Sequence, residues 1–576
     1  MSDTDAARIG DIKIGLKAAH DDTATRAERD GSNVLASQFR SAIGAFAIRP
    51  AAIASSIGQS DVEAVRLDGY AGAGDGGGAL YKRAASEPAH SGKFQSSDGQ
   101  WWEIAEATVT PQMFGAVGDG VADDTSALQA AVNYIATNGG VLSIPAGTYR
   151  ITARIFRGSS SKPFSIIGAG KSTILKRGSA FASTCMEFRD SDDINIQGLL
   201  IDGQHSVHGA ANHGLVVYNS MRSRIENVHV QDYTNSGILV YALTGSKGGA
   251  RLYNCSADGN GRSPVGLLIS GMYDSGMHAC SAKGVTTVGT GSDGYGLELK
   301  NECDGCFITD GYAEDCTCAV AFGQDISATA VKNSRVSVVA ARCAFGFIAG
   351  YAENNHADVV IDMAGAVSGQ NAIDLQNSSK SNTVRLTVRN VPASRRAVYI
   401  RNGCTDNVVT VDLCDGLPAS AVVARFDAGS ERNTVELKRL ANPIMPTAGF
   451  AGLVSNSSTA NNNTFRYALY PRVEACTIAS DAIQIKDPAS DAIIIDTEAA
   501  AATDDLATIN GHAVEGKTIV LHTTANSRDV VVKHATGNIR LNGAADFSLP
   551  GVASSITLQY RAALTAWCEV ARSSAT

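Results

Sequence analysis

Between residues 211 and 465, apolar positions alternate with other residues in short bursts that recur down the chain. The bursts are HGLVVY (213–218), SGILVY (236–241), VGLLIS (265–270), YGLELK (295–300), CAVAFG (318–323), NAIDLQ (371–376) and RAVYIR (396–401). Each is read as a strand that turns alternate side chains to a core. A polar loop and a second alternating run follow. Asn227, Asn254, Cys280, Cys306, Asn333, Asn355, Asn382, Asn407, Asn433 and Asn463 mark the second runs, with spacings between 22 and 30 residues and mostly near 26. A unit of that size cannot bury its apolar face alone, but stacked copies can. Ten turns at about 4.8 Å each give a rod of roughly 50 Å. The pattern predicts an all-β chain built on a right-handed parallel β-helix, with the Asn markers at equivalent corners. Asn tolerates a left-handed corner, and stacked amides bond along the ladder. The L-x-x-L-x-L frame of a leucine-rich horseshoe is absent.

Upstream, TSALQAAVNYIAT (125–137) has helical spacing, with Asp123 and Asp124 placed to cap it and Gly139–Gly140 placed to stop it. A helix there would cover the exposed core of the first rung, which VLSIPAGTYRIT (141–152) supplies. Residues 62–107 predict a small β-domain with a tight turn at GDGGGALY (74–81). Residues 1–60 are Ala-rich and carry no chemical motif. The expected organisation is an N-terminal attachment region (1–107), a β-helix with a capping helix (108–466) and a C-terminal β-sandwich-like domain for trimerisation or glycan contact (467–576).

Composition agrees with this reading. The repeat absorbs 576 residues without several separate cores, and 58 Gly, 13 Pro and 18% charged residues suit a turn-rich fold. A net charge of −9 lacks the basic face that nucleic acid requires. MSDTDAARIGD has no basic-then-apolar leader, and the apolar run at 42–58 is broken by Arg49 and Pro50, so neither a signal peptide nor membrane insertion is expected. CDGCFITDGYAEDCTC (303–318) has spacing that suits zinc in isolation. Because Cys280 and Cys306 occupy the ladder slot, the twelve cysteines are read instead as buried, reduced thiols of a chain folded in a cytosol, with no metal and no cofactor.

Candidate chemistry comes from the alternation. The outward positions of the first runs read Val216 and Tyr218, Leu239 and Tyr241, Leu268 and Ser270, Glu298 and Lys300, Ala321 and Gly323, Asp374 and Gln376, then Tyr399 and Arg401. Aromatic faces beside carboxylates suit an extended glycan. Tyr218, Tyr241, Lys300, Asp374, Tyr399, Arg401 and His213 are the expected substrate contacts, His213 because it begins the first ladder strand. His205 and His208 are read as members of an exposed loop. Glycoside hydrolysis needs two carboxyls about 5–5.5 Å apart for retention or about 6.5–9.5 Å apart for inversion. Glu298 and Asp374, three rungs apart, would be roughly 14 Å from each other. Glu298 is therefore expected to work with Asp293 or Asp325, Lys300 steadying it. A lyase would use a base such as Lys300 or Tyr241 with a cation.

FGAVGDGVADDTSALQAAV…GGVLSIPAGTYRIT, with IIGAG (166–170) and INIQGLLIDG (194–203), resembles the opening of pectate-lyase-like β-helices. GYAGAGDGGGALY (69–81) resembles the neck of phage tailspikes, and residues 502–573 are similar to a small β-domain ending many phage fibres and spikes. The resemblance implies a homotrimeric virion tailspike. Such a protein is made in the host cytoplasm, attached to the phage tail through its N-terminal region, and recognises and hydrolyses a bacterial surface polysaccharide. A non-catalytic receptor-binding spike and a polysaccharide lyase or epimerase are the alternatives.

Overall fold

The recurring bursts fold as stacked parallel strands. In this computed structural model, residues 44–573 are described except 60–61, 182, 210–212, 244–246, 263, 287–293, 324–329, 367–369, 419–420, 428, 442–453, 457–461, 468–471, 487–489 and 512. The first run of each coil joins a twelve-stranded sheet and the second joins a twenty-stranded sheet. Leu215, Ile238, Leu267, Leu297, Val320, Phe347, Ile373 and Val398 pair in register down the first sheet, and all are buried. The chain divides into two compact units, 1–435 with 440–465, and 466–576 with 436–439.

Alternation in the twelve-stranded sheet breaks at one place per rung. A side chain on Gly266 would point at Ala282 of the core, and one on Gly296 at Ala282 and Ala313. Two successive residues, such as Gly266 and Leu267, thus face inward. Val265 is thereby turned out to the face that carries Leu268, and Tyr295 to the face that carries Glu298.

The corners differ from the expectation. A left-handed residue precedes the second run of coil after coil: Arg222, Gly249, Asp274, Gly305, Asn333, Asn354, Ser381, Asp406, Arg432 and Asn462. The residue after it turns inward, and there Asn355, Asn382, Asn407, Asn433 and Asn463 form a ladder in which each Nδ2 donates to the next Oδ1 at 2.9–3.0 Å. Ser334 and Cys306 hold the equivalent slot lower down, where the Cys306 N–H donates to Ser334 Oγ at 3.1 Å. Asn227 and Asn254 belong elsewhere, at a second left-handed corner in register with Ala279 and Asp310, and Cys280 follows that corner. The markers share a period but not one position.

The capping helix, Thr125–Asn138, buries Ala127, Leu128, Ala131, Val132 and Ile135 and stops at Gly139. Asp124 holds the preceding loop by accepting from Val117 N and Gly118 N, and does not cap the helix with its side chain. Asp123 accepts from Thr125 N. Ahead of it, a five-stranded sheet packs Val65, Leu67, Tyr81, Phe94 and Trp102. In its GDGGGALY turn, Asp75 accepts four backbone N–H groups. The C-terminal unit has its own core, including Ile493, Ile519, Leu521, Ile556 and Trp567. All twelve cysteines are free thiols, and Cys568 alone lies outside the buried set. Among the described residues no helix is long and apolar enough to cross a membrane.

Candidate functional site

The outer face of the twelve-stranded sheet carries three successive environments. Near its start, Glu187 is buried between Arg154 and Arg189, and its bonds to both guanidiniums join the three groups. On the next two rungs the rings of Tyr218 and Tyr241 lie 4.6 Å apart, with Arg189 over Tyr218. Half-buried His213 takes the Ser236 N–H on Nδ1 at 3.3 Å. Burial lowers its pKa, with Glu187 opposing. Glu187 and Arg189 sit one rung before the ladder bursts begin and Arg154 two rungs before, so the repeat does not point to them. The outward pair Glu187 and Arg189 in MEFR (186–189) was the available signal.

In the middle the face is apolar and closed. Leu268 and Ala321 flank Glu298 on the neighbouring strands and belong to a buried cluster with Val265, Tyr295, Cys318 and Ile348. Glu298 does point away from the β-helix core, but it is fully buried rather than exposed to a polymer. Its Oε1 lies 3.8 Å from Lys300 Nζ. Asp293 and Asp325, its expected partners, lie outside the described residues. Asp374 is three strands from Glu298, through Ala321 and Ile348, which keeps the two carboxylates apart.

Toward the end the face turns polar again. Asp374 is also buried, and its carboxylate takes Arg401 Nε at 3.0 Å and Asn371 Nδ2 at 3.3 Å. Burial pushes its pKa up, with Arg401 opposing. Arg401 also donates to Gln376. Tyr399, the next residue in Asp374's register, donates its hydroxyl to Asp427, which Arg425 grips at 2.8 Å. The structure therefore brings Asp374, Tyr399 and Arg401 together and leaves them apart from Tyr218, Tyr241 and His213.

A second site lies on the second runs, whose outward positions the alternation of the first runs does not reach. Their outward positions in register are His229, Ser256, Ser281 and Tyr312. The two small serines form the floor of a groove of about 300 Å³ between the His229 and Tyr312 walls. The adjoining outward row places Gln231, Asp258, Lys283 and Glu314 along its rim. Glu314 is held by Arg342 and lies 3.7 Å from Lys283 Nζ. Asp258 and Glu314 are two strands apart, so their backbones are separated by roughly 9.6 Å. His229 shares a 2.7 Å hydrogen bond with Ser256 Oγ. Burial, aided by Lys171, lowers its pKa to about 4, so the ring is neutral near pH 7. Tyr312 is 40% exposed, enough to offer a ring face to a sugar. Among the described residues no group of three or more His, Cys, Asp or Glu is gathered to hold a metal ion.

Comparison with known proteins agrees with this architecture. Residues 110–348 match the family model described as rhamnogalacturonase A/epimerase, pectate lyase-like. The capsule K30/K69-specific depolymerase of Klebsiella phage K64-1 is 26% identical over 228 residues, 34% of this chain and 27% of that protein. The capsule KN3-specific depolymerase 1 of Klebsiella phage KN3-1 is 28% identical over 187 residues, 29% of this chain and 23% of that protein. The chain thus spans about a quarter of the length of these phage relatives. Among solved structures, the A-module of mannuronan C-5 epimerase AlgE6 from Azotobacter vinelandii aligns with a TM-score of 0.46 and 13% identity, over 63% of this chain and all of that one. With its stacked parallel coils, its helix cap and the match over residues 110–348, the chain carries a pectate-lyase-like parallel β-helix.

Proposed function

We propose that this chain is a phage tail receptor-binding protein that degrades a bacterial surface polysaccharide in the groove between His229 and Tyr312. The observation that carries the reading is the serine floor. Ser256 and Ser281 leave a sugar-sized trough on an otherwise continuous sheet, and carboxylates line its rim. Local likeness to two capsule-specific phage depolymerases supports a polysaccharide as the polymer. Hydrolysis is the reaction this reading assigns, because two carboxylates, Asp258 and Glu314, stand along one rim of the groove, and glycoside hydrolysis uses a pair of carboxyls. In this reading Glu314 is the base, Asp258 the acid, and Tyr312 the platform for a ring. Val339 and Val360, 49% and 46% exposed on the next rungs, continue the apolar stripe from Tyr312 and favour association of copies as a closed trimer. Attachment to the tail is assigned to the N-terminal region.

The test is incubation with capsule or lipopolysaccharide from candidate hosts and mass spectrometry of the products. Hydrated fragments support hydrolysis, and unsaturated ones indicate a lyase. Asp258→Asn and Glu314→Gln should each cut turnover by about 10²–10⁴ with binding kept. Wild-type rates in both variants overturn the site, and binding without products supports a non-catalytic spike.

A second reading rests on Glu298. Its carboxylate is fully buried and lies 3.8 Å from Lys300 Nζ, and a buried charge held by a partner is a candidate functional group. If Glu298→Gln folds normally but abolishes cleavage while Glu314→Gln does not, the acid belongs to the twelve-stranded face.

A further inference from the structure

The last polar region of the twelve-stranded face holds more positive charge than it uses. Arg396, Tyr399 and Arg401 share one strand run, Asn371, Asp374 and Gln376 the one before, and Arg425 and Asp427 the one after. Arg401 is committed to Asp374 and Gln376, and Arg425 to Asp427. Arg396 is the exception. Its guanidinium lies 5.0 Å from the Tyr399 ring centre, half-buried, and makes no ion pair or hydrogen bond among the described residues. Three guanidiniums meet two carboxylates here, in a chain whose net charge is −9. Burial first, and then the neighbouring Arg425, lower the pKa of Arg396, with Tyr399 and Asp427 opposing.

An independent observation on the adjacent strand points the same way. Asn371 is 4% exposed, donates to Asp374, and leaves Oδ1 without a hydrogen-bond partner among the described residues. A buried amide oxygen without a donor costs about as much as a lost hydrogen bond. A chloride or sulfate ion would satisfy Arg396 but has no hydroxyl for Asn371. A sugar carrying a carboxylate has both, and the planar fork of Arg matches a carboxylate in two parallel bonds.

We infer that Arg396 and Asn371, beside Tyr399, form an anchoring subsite for a carboxylate-bearing sugar, on a different sheet from the groove at Tyr312. The inference deepens the polysaccharide reading above, since it names an acidic glycan as the ligand class. No bond is broken at this site, which holds the polymer while another segment lies elsewhere on the β-helix.

The test uses the full chain and ligand-observed NMR with glucuronic acid and galacturonic acid, against glucose, galacturonic acid methyl ester and acetate. Both uronates should bind, with glucose and the methyl ester much weaker. Acetate as tight as the uronates would overturn the inference by reducing the site to an anion pocket. Arg396→Gln should weaken uronate binding by roughly tenfold or more, about 1.4 kcal/mol per factor of ten. Arg396→Lys, which keeps charge but loses the fork, should fall between, and thermal midpoints of both variants establish that they fold. Unaltered uronate binding in Arg396→Gln, or no uronate binding by the wild type, sinks the inference. The two readings fail separately. Uronate binding lost with Arg396 but no host polymer cleaved keeps the subsite and removes the depolymerase, whereas cleavage of an acidic polymer with unchanged KM in Arg396→Gln does the reverse.

Discussion

Asn407 donates its side-chain amide to Asn433 Oδ1 at 2.9 Å across 26 residues of sequence, and its own Oδ1 receives the amide of Asn382 in the same way. Each Asn side chain in this buried column also satisfies backbone groups: Asn407 Nδ2 bonds Ser379 O, and its Oδ1 accepts from Asn382 N. The column thus does for the corner what a strand ladder does for a sheet.

Asn407→Ala should therefore be costly. It strands Asn382 and Asn433 groups together with the Ser379 carbonyl, and each buried polar group left unmet costs about 1–3 kcal/mol. A drop in the denaturant midpoint equivalent to several kcal/mol is expected. Asn254→Gly, at the exposed left-handed corner where glycine is unstrained, should stay within roughly 0.5 kcal/mol. Equal effects of the two substitutions would contradict the distinction between the corners.

The thiols give a second measurement. Burial pushes Cys185, Cys404 and Cys414 up to about 12, where thiolate is scarce at neutral pH. A thiol reagent should label at most about one cysteine rapidly in the native protein, Cys568, and all twelve after unfolding without reductant. Fewer than twelve after unfolding would reveal disulfides.

His229 should carry a pH signature. Its folded pKa, about 4, lies below the unfolded value, so the unfolded chain binds its proton first. The stability linked to it is fully present above about pH 6.5 and is lost as pH falls toward 4. Imidazole NMR shifts should show a midpoint near 4, and His229→Gln should flatten the decline of stability between pH 6.5 and 4. A midpoint near 6.5 would mean that the ring is open to water.

How much of this was legible in the sequence follows from what repeats. The core was readable because Leu297 and Leu299 recur as a pattern whatever their neighbours, so period and fold were carried by many residues at once. The corners were only half readable: Asn333 and Asn355 look alike in sequence, yet one is left-handed and exposed and the other is buried in the column. Alternation told correctly that Glu298 leaves the β-helix core. It could not tell that Leu268, Ala321 and Ile348 would gather beside it in a buried cluster on the same face, because that depends on residues 50 positions apart meeting across strands. The groove depends on an absence of side-chain bulk at Ser256 and Ser281, and small residues carry no signal until their tall neighbours are known to stand beside them.

That same smallness supplies the most direct test of the groove. Ser281 lies between Ser256 and Tyr312 in register, its side chain on the outer face and its neighbour Ala282 buried in the core. Ser256 holds His229 and should be left alone. Ser281→Phe would fill the trough with a ring while leaving Asp258, Lys283 and Glu314 in place. Because the new side chain points outward, the thermal midpoint should change little. Saccharide affinity should fall by roughly tenfold or more, the scale on which one misplaced group in a pocket discriminates. Ser337→Phe, an outward position two residues before Val339 on the following strand, is the control that adds the same ring away from the serine floor. Loss in Ser281→Phe with retention in Ser337→Phe locates the sugar on the floor. Retained binding and turnover in a folded Ser281→Phe protein would remove the groove from consideration and return the search to the twelve-stranded face.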